Sequence, residues 1–229
     1  MKKLLTLNAK LVPLAYAQAL IELAEELGVQ SERLLQVAGV SPQVLQNPAG
    51  RLSFLDFRQL ANAALLEADD PTLGLRLGQR LNASAHGILG YALLSSATLD
   101  KAIHFALKYY RVLGLSFDLE LIEHADSLEL RASESIPLGA LSRFAAEGLL
   151  ASLHSIAQFL LGETPQGVAV GFAYPAPEYA DRYREVFGEA VTFEQPWHWL
   201  SLPRAYLDRP MALANPATMQ MCEQQCEAL

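Results

Sequence analysis

SFDLELIEHADSLELRAS, residues 116–133, alternates, breaks once and alternates again. Phe117, Leu119 and Leu121 fall on one face and Asp118, Glu120 and Ile122 on the other, the two-residue period of a half-buried strand. Ala125-Asp126-Ser127 interrupts, and the pattern resumes from Leu128 to Ser133, so the segment predicts a β-hairpin. The sequence before it reads as helix. Helices first, then interleaved strands and helices, predict an α+β fold: a helical N-terminal lobe packed on a small, mostly antiparallel sheet with flanking helices.

Working upstream, Pro13 suits a helix start, and Leu14 to Leu27 carries apolar residues at helical spacing up to Gly28. Ser31 opens a short helix ending near Gly39, and Ser41-Pro42 opens another turn. Ser53 and Asp56 form an S-x-x-D cap before a helix reaching Ala68, and Asp70-Pro71 introduces a helix from Thr72 to Leu81. HGILGYALLSSATLDKAIHFALKYYRVLG (86–114) follows. It sets Gly87, Gly90 and Ala92 among large apolar residues, then starts a helix at Thr98 that ends in Tyr109, Tyr110 and Arg111. Such a segment packs tightly on one side and offers aromatic hydroxyls on the other.

Downstream, Pro137 precedes a long helix, Leu138 to Leu161, stopped by Gly162. Val168 to Ala173, Ala190 to Phe193 and Trp197 to Leu202 read as strands, Pro177 to Phe187 as a helix, and a last helix begins near Pro216. With no Gly/Ser-rich linker and no repeat, residues 1–229 are expected to form one unit. It divides into a helical lobe of about 1–114, an α/β lobe of about 115–214 and a terminal helix of about 215–229.

The chain of 229 residues is 52% hydrophobic and 18% charged, ample for a buried core. A net charge of −8 argues against this chain gripping nucleic acid itself. MKKLLTLNAKLVPLAYA at the start has a signal-like look, but Asn8, Lys10 and Pro13 break its apolar core. No uninterrupted apolar run approaches the roughly 20 residues of a membrane span, so a cytoplasmic protein is expected. Cys222 and Cys226 are too few for a four-ligand zinc site and read as two reduced thiols on a helix. GxSxG, HExxH, Walker and Rossmann patterns are missing, so neither an enzyme nor a cofactor is expected.

Ala19 to Pro42 has the outline of a helix-turn-helix around Gly28. Its second helix offers mainly Arg33 to DNA, and Glu22, Glu25, Glu26 and Glu32 would repel phosphates, so ordinary helix packing is expected. On the long helix, Leu141, Ala145, Leu149, Ser152, Ile156 and Phe159 make a stripe opposite Arg143, Glu147, Leu150, His154 and Gln158. The second side is either solvated, with an Arg143–Glu147 pair of little worth, or lines a pocket. In a pocket Arg143 would hold a carboxylate and His154 a polar head group. His86, near Tyr91, is either a cap or core residue or a donor to a ligand. Tyr109 and Tyr110 face apart on a helix, one buried and the other exposed or pocket-facing. Trp197 and Trp199 share a strand face, as core, lobe interface or cavity wall. The candidate ligand-binding residues are therefore His86, Tyr91, Tyr110, Arg143, His154 and Trp197.

Four segments carry a family resemblance: DDPTLGLRLGQRL (69–81), HGILGYALLSSATLDKAIHFALKYY (86–110), YREVFGEAVTFEQPWHWLSLPRAYLDRPM (183–211) and CEQQCEAL (222–229). Together they resemble the N-terminal effector domain of AraC/XylS-type transcription regulators, in the subgroup often labelled arabinose-binding. The resemblance implies a small-molecule sensor that forms a homodimer and is joined to a C-terminal module of two helix-turn-helix motifs. DNA would be contacted only through that module, absent here, and the chain is read as stopping inside an unfinished helix. The acidic balance then fits, since the basic surface would belong to the absent part. A sugar is not implied, because this helix-rich sequence departs from the β-rich barrel of the arabinose regulator. Haem sensing is not implied either, as no YxSxR motif and no outstanding axial histidine is present.

The expectation is a domain that binds a small organic effector between its lobes and thereby biases an attached DNA-binding module. Its partners would be that effector, a second copy and, indirectly, DNA, with no membrane. The rivals are a ligand-free dimerisation module and an enzyme with a dispersed site.

Overall fold

The computed structural model describes residues 8–46, 50–110 and 116–228. Residues 1–7 of the signal-like stretch and residues 111–114 at the end of the aromatic run lie outside them. Strand β1 (Lys10–Pro13) leads into helices α1 (Leu14–Glu26) and α2 (Ser31–Ala38). A 3-10 turn at Pro42–Gln46 precedes β2 (Arg51–Ser53), α3 (Phe54–Ala68) and α4 (Leu73–Arg80). Another turn, Ala83–His86, introduces α5 (Ile88–Ser95) and α6 (Leu99–Tyr109). Then come β3 (Phe117–Glu123), β4 (Ser127–Glu134), a turn at Gly139–Leu141 and α7 (Ser142–Leu161). The chain continues through β5 (Ala169–Gly171), α8 (Ala180–Phe187), β6 (Val191–Thr192), β7 (His198–Pro203) and α9 (Pro216–Ala228).

Local chemistry places several of these boundaries. Ser53 Oγ accepts from the Asp56 amide at 3.0 Å and donates to the Asp56 carboxylate at 2.7 Å, starting α3. Thr98 Oγ1 accepts from the Lys101 amide and starts α6. Gly39 and Gly162 end α2 and α7 in the left-handed conformation, where a side chain would be strained. The expected hairpin forms, with Leu119 opposite Ala132 and Leu121 opposite Leu130.

The fold is α+β, with one addition in its helical part. Lys10–Pro13 and Arg51–Ser53 pair as an antiparallel ribbon where only helix was expected. Strands of three or four residues carry too little alternation to register as a period. The main sheet has the order β3-β4-β7-β5-β6, and only β5 and β6 run parallel. The late strand β7 thus inserts between β4 and β5, a long-range pairing that no local pattern encodes.

His198, Leu200 and Leu202 turn inward from β7, which leaves Trp199 on the outer face with Trp197 beside it. There Trp199 covers Gly171, whose Cβ would lie 2.0 Å from the indole nitrogen, and the Arg131 guanidinium sits 4.2 Å from the Trp197 ring centre. Among the described residues, neither tryptophan belongs to a buried core cluster. They shield the outside of the sheet.

The long helix departs from its expected two-sidedness. Glu147, Leu150 and His154, placed opposite the apolar stripe, are all buried, while Phe159 of the stripe is 58% exposed. Helix α7 is covered on two sides: α4 packs against it so closely that a Cβ on Gly78 would lie 2.6 Å from the Ala151 Cβ and the Gly148 carbonyl. Leu141 and Phe144 join the core of the helical lobe, and Leu150 and Ala151 join the core under the sheet. Residues Gly139–Leu161 are long and apolar enough to cross a membrane by length and composition, yet here the helix holds two cores together. Finally, α9 docks on α5, with Cys222 and Cys226 buried as free thiols beside Leu89, Phe105 and Tyr109.

Candidate functional site: an apolar cavity with one polar relay

Where the helical lobe meets α7 and β3, the packing leaves a cavity of about 150 Å³. Tyr16 of α1, Phe57 of α3, Leu89 and Leu93 of α5, Ala106 and Tyr110 of the α6 segment, Phe117 of β3 and Gly148 and Ser152 of α7 all face it. The lining is apolar but for a few hydroxyls and one imidazole, the usual composition of a small-molecule site.

The turn Ala83–His86 delivers that imidazole. Asn82 caps the turn by accepting from the Ala85 amide, and Gly87 reverses the chain at a φ of +62°. Helix α5 then presses against the turn so tightly that a Cβ on Gly90 would fall 1.6 Å from the Ala83 carbonyl oxygen. The HG..G pattern is thus a packing device that fixes His86 over the cavity.

Hydrogen-bond direction follows from the end of the chain. Ser152 donates its single proton to the Leu81 carbonyl at 2.8 Å, so it can only accept from His86 Nε2, 3.2 Å away. His86 therefore carries its proton on Nε2, and Nδ1 accepts from the Tyr16 hydroxyl at 2.5 Å. The relay runs one way, from Tyr16 through His86 and Ser152 to Leu81. Burial pushes the His86 imidazole down to about 4 and raises the Tyr16 phenol well above its ordinary value, so both groups are neutral near pH 7. The Tyr16 oxygen, having given its proton inward, keeps lone pairs for an N–H or O–H in the cavity.

A second compartment of about 90 Å³ lies towards the sheet, walled by aliphatic side chains from α6, α7, β3, β4 and β7. Leu93, Ala106, Leu153 and Ile156 belong to both compartments.

Another polar cluster sits on the far side of α7. Glu147 is 0% exposed; its Oε1 accepts from Tyr179 at 2.9 Å and from Tyr183, which is 3.2 Å from the Tyr174 hydroxyl. Its Oε2 has no hydrogen-bond partner and abuts Gly74. Burial raises the carboxyl to about 7, against the opposing pull of the two tyrosines, Arg143 and the Leu75 amide. Arg143 lies over the Tyr174 ring at 5.1 Å and opens with Ser142 and Tyr179 onto a surface cleft of about 420 Å³.

Of the six expected site residues, His86 and Tyr110 line the cavity and Arg143 lines the cleft. His154 packs against Phe187 beneath the sheet, Tyr91 is 53% exposed on α5, and Trp197 lies outside the sheet; none of the three lines either compartment. Tyr109 is buried against α9, donating to Glu227, while its neighbour Tyr110 turns to the cavity. Sequence reasoning passed over Tyr16, Ser152 and the burial of Glu147. Ser152 stood within an apolar stripe, and that one hydroxyl at a buried position was the available signal.

Residues 28–211 match the arabinose-binding N-terminal domain of AraC transcription regulators. The chain belongs to this family. It is 66% identical over 229 residues, all of this chain and 68% of the other protein, to an ornithine utilization regulator of Pseudomonas aeruginosa. An uncharacterized HTH-type transcriptional regulator of Mycobacterium tuberculosis is 27% identical over 223 residues, 95% of this chain and 64% of that one. The crystal structure of the transcriptional regulator CdpR from Pseudomonas aeruginosa shares the fold. It gives a TM-score of 0.62 at 20% identity, covering 83% of this chain and 59% of its own. The relatives are thus regulators about half as long again as this chain. Of the five glycines in the family-like segments, Gly74, Gly78 and Gly90 sit where a Cβ would collide, whereas Gly87 and Gly188 face open space and hold a positive φ.

Proposed function

We propose that this chain is the effector-sensing domain of an AraC-type regulator and that a small organic molecule occupies the cavity between α1, α5, α6, α7 and β3. The observation that carries this reading is a largely apolar cavity at the lobe junction with one oriented polar relay in its wall. Because the walls come from both lobes, occupancy favours one packing over another and biases a DNA-contacting module elsewhere in the longer protein. The name of the 66% identical relative supports control of ornithine utilization as the regulated process. Homodimerisation in the cytoplasm belongs to the same reading. Tyr91 on α5 and Met221 on α9 are both largely exposed, on helices that pack together, and supply apolar surface for a second copy.

A thermal-shift screen of the 229-residue chain against metabolites, ornithine among them, tests the proposal. A ligand at about 100 times its Kd adds about 2.7 kcal/mol to stability and raises Tm by several degrees. A null across a broad panel would leave the ligand-free dimerisation module in its place.

A second reading has its own support in the Arg143 cleft. Among the described residues no carboxylate lies within ion-pair distance of this guanidinium, which faces an open volume able to take an amino-acid carboxylate. Arg143→Ala would then abolish the rise in Tm produced by ornithine while leaving the free chain folded.

A further inference from the structure

We infer that the effector is a neutral amphipathic molecule: a hydrogen-bonding head held at Tyr16 and Tyr110, and an unbranched aliphatic tail running past Ala106 into the compartment under the sheet. This rests on the effector-sensing reading and specifies its ligand. Three observations lead to it.

The two compartments meet across Leu93, Ala106, Leu153 and Ile156, of which Ala106 is the smallest. A ligand in the first compartment therefore needs only side-chain rotation at this shared wall to extend into the second. The two ends differ in chemistry. Hydroxyls and the imidazole cluster at one end, whereas the lining of the sheet-side compartment is entirely Leu, Ile and Ala. An unpaired polar group placed there would lose its hydration without compensation. Charge is disfavoured throughout. Neither lining contains Lys, Arg, Asp or Glu among the described residues, and His86 is held neutral within its relay. Free ornithine, with two ammonium groups and a carboxylate, would enter with no counter-charge.

Size narrows the class further. A cavity near 150 Å³ holds a molecule of about benzene's size, so both compartments together take about ten non-hydrogen atoms. The relay sets the polarity of the head. Tyr16 has spent its proton on His86, so the head must bring an O–H or N–H to the phenol oxygen.

Calorimetric titration of the 229-residue chain with straight-chain primary alcohols of about four to twelve carbons reads this directly, with ornithine and the matching carboxylic acids as comparison series. Affinity should rise roughly fourfold per added methylene and stop rising at about nine carbons, where both compartments are full. Ala157→Phe fills the sheet-side compartment alone and should shift that limit to shorter chains without weakening the shortest alcohols. Ala157→Leu, a smaller change, should shift it less and guards against misfolding of the first variant. Tyr16→Phe should weaken every alcohol by a similar factor. An affinity independent of chain length, a limit unmoved by both Ala157 variants, or acids binding more tightly than alcohols would each overturn the inference. Binding of ornithine but of no alcohol would overturn it and leave the sensing role standing. No heat and no shift of Tm with any compound would remove both.

Discussion

Tyr16 on α1 and His86 before α5, seventy residues apart, meet edge-to-face at 5.5 Å between ring centres and share a 2.5 Å hydrogen bond. This contact ties the first helix of the chain to the segment that carries the family-like glycines. Tyr16→Phe keeps the ring and leaves His86 Nδ1 without its donor. The cost of a buried unsatisfied acceptor is about 1–3 kcal/mol, which lowers Tm by several degrees in a chain of this size. Thermal unfolding monitored by circular dichroism checks it. Nitrogen-detected NMR of the ring should show the Nε2–H tautomer in the parent chain at pH 7.

Three glycine substitutions should rank by what their Cβ meets. Gly90→Ala drives a methyl into the Ala83 backbone and should prevent α5 from docking, costing about 3 kcal/mol or more. Gly78→Ala meets Ala151 and the Gly148 carbonyl across the α4–α7 contact, and should cost about 1–3 kcal/mol. Gly28→Ala finds open space and bears only the strain of a φ of +87°, about 1 kcal/mol. Chemical denaturation midpoints measured side by side test the order.

Glu147 and His86 make opposite contributions to stability against pH. Burial raises Glu147 from 4.5 to about 7, so its contribution is fully present below pH 4.5 and is lost as pH rises to about 7. His86 is lowered from 6.5 to about 4; its contribution is present above pH 6.5 and lost as pH falls through about 4. The parent profile between pH 4.5 and 6.5 is therefore partly cancelled. Glu147→Gln removes the first contribution and keeps an oxygen for Tyr179 and Tyr183. Relative to the parent chain it should gain on the order of 3 kcal/mol on going from pH 4.5 to 8, read from Tm across that range. A difference between variant and parent that stays flat with pH would show that Glu147 ionises normally.

Sedimentation equilibrium should find the chain dimeric, with Tyr91→Glu and Met221→Glu together shifting it towards monomer. Both side chains are largely exposed in the single chain, at 53% and 61%, so the pair should leave the monomer fold intact. An unchanged association constant would move the interface away from α5 and α9.

Sequence alone determined the elements whose cause is local. Ser53 and Thr98 announced their helices because a cap bonds an amide three residues on, and residues 116–133 announced a hairpin because alternation is a property of neighbours. Gly74, Gly78 and Gly90 were visible too, although their reason, backbones in near contact, was not. Tertiary structure alone decided the rest. The ribbon joining β1 to β2 and the insertion of β7 between β4 and β5 pair segments far apart in the chain. So does the relay from Tyr16 through His86 to Ser152. Burial followed the same rule: Glu147 looks like one side of a solvated helix until α4 and α8 close over it, and the cavity exists only where surfaces from both lobes fail to fill the space between them. Periodicity records which face of an element is apolar; what that face meets is set by contacts that no single segment contains.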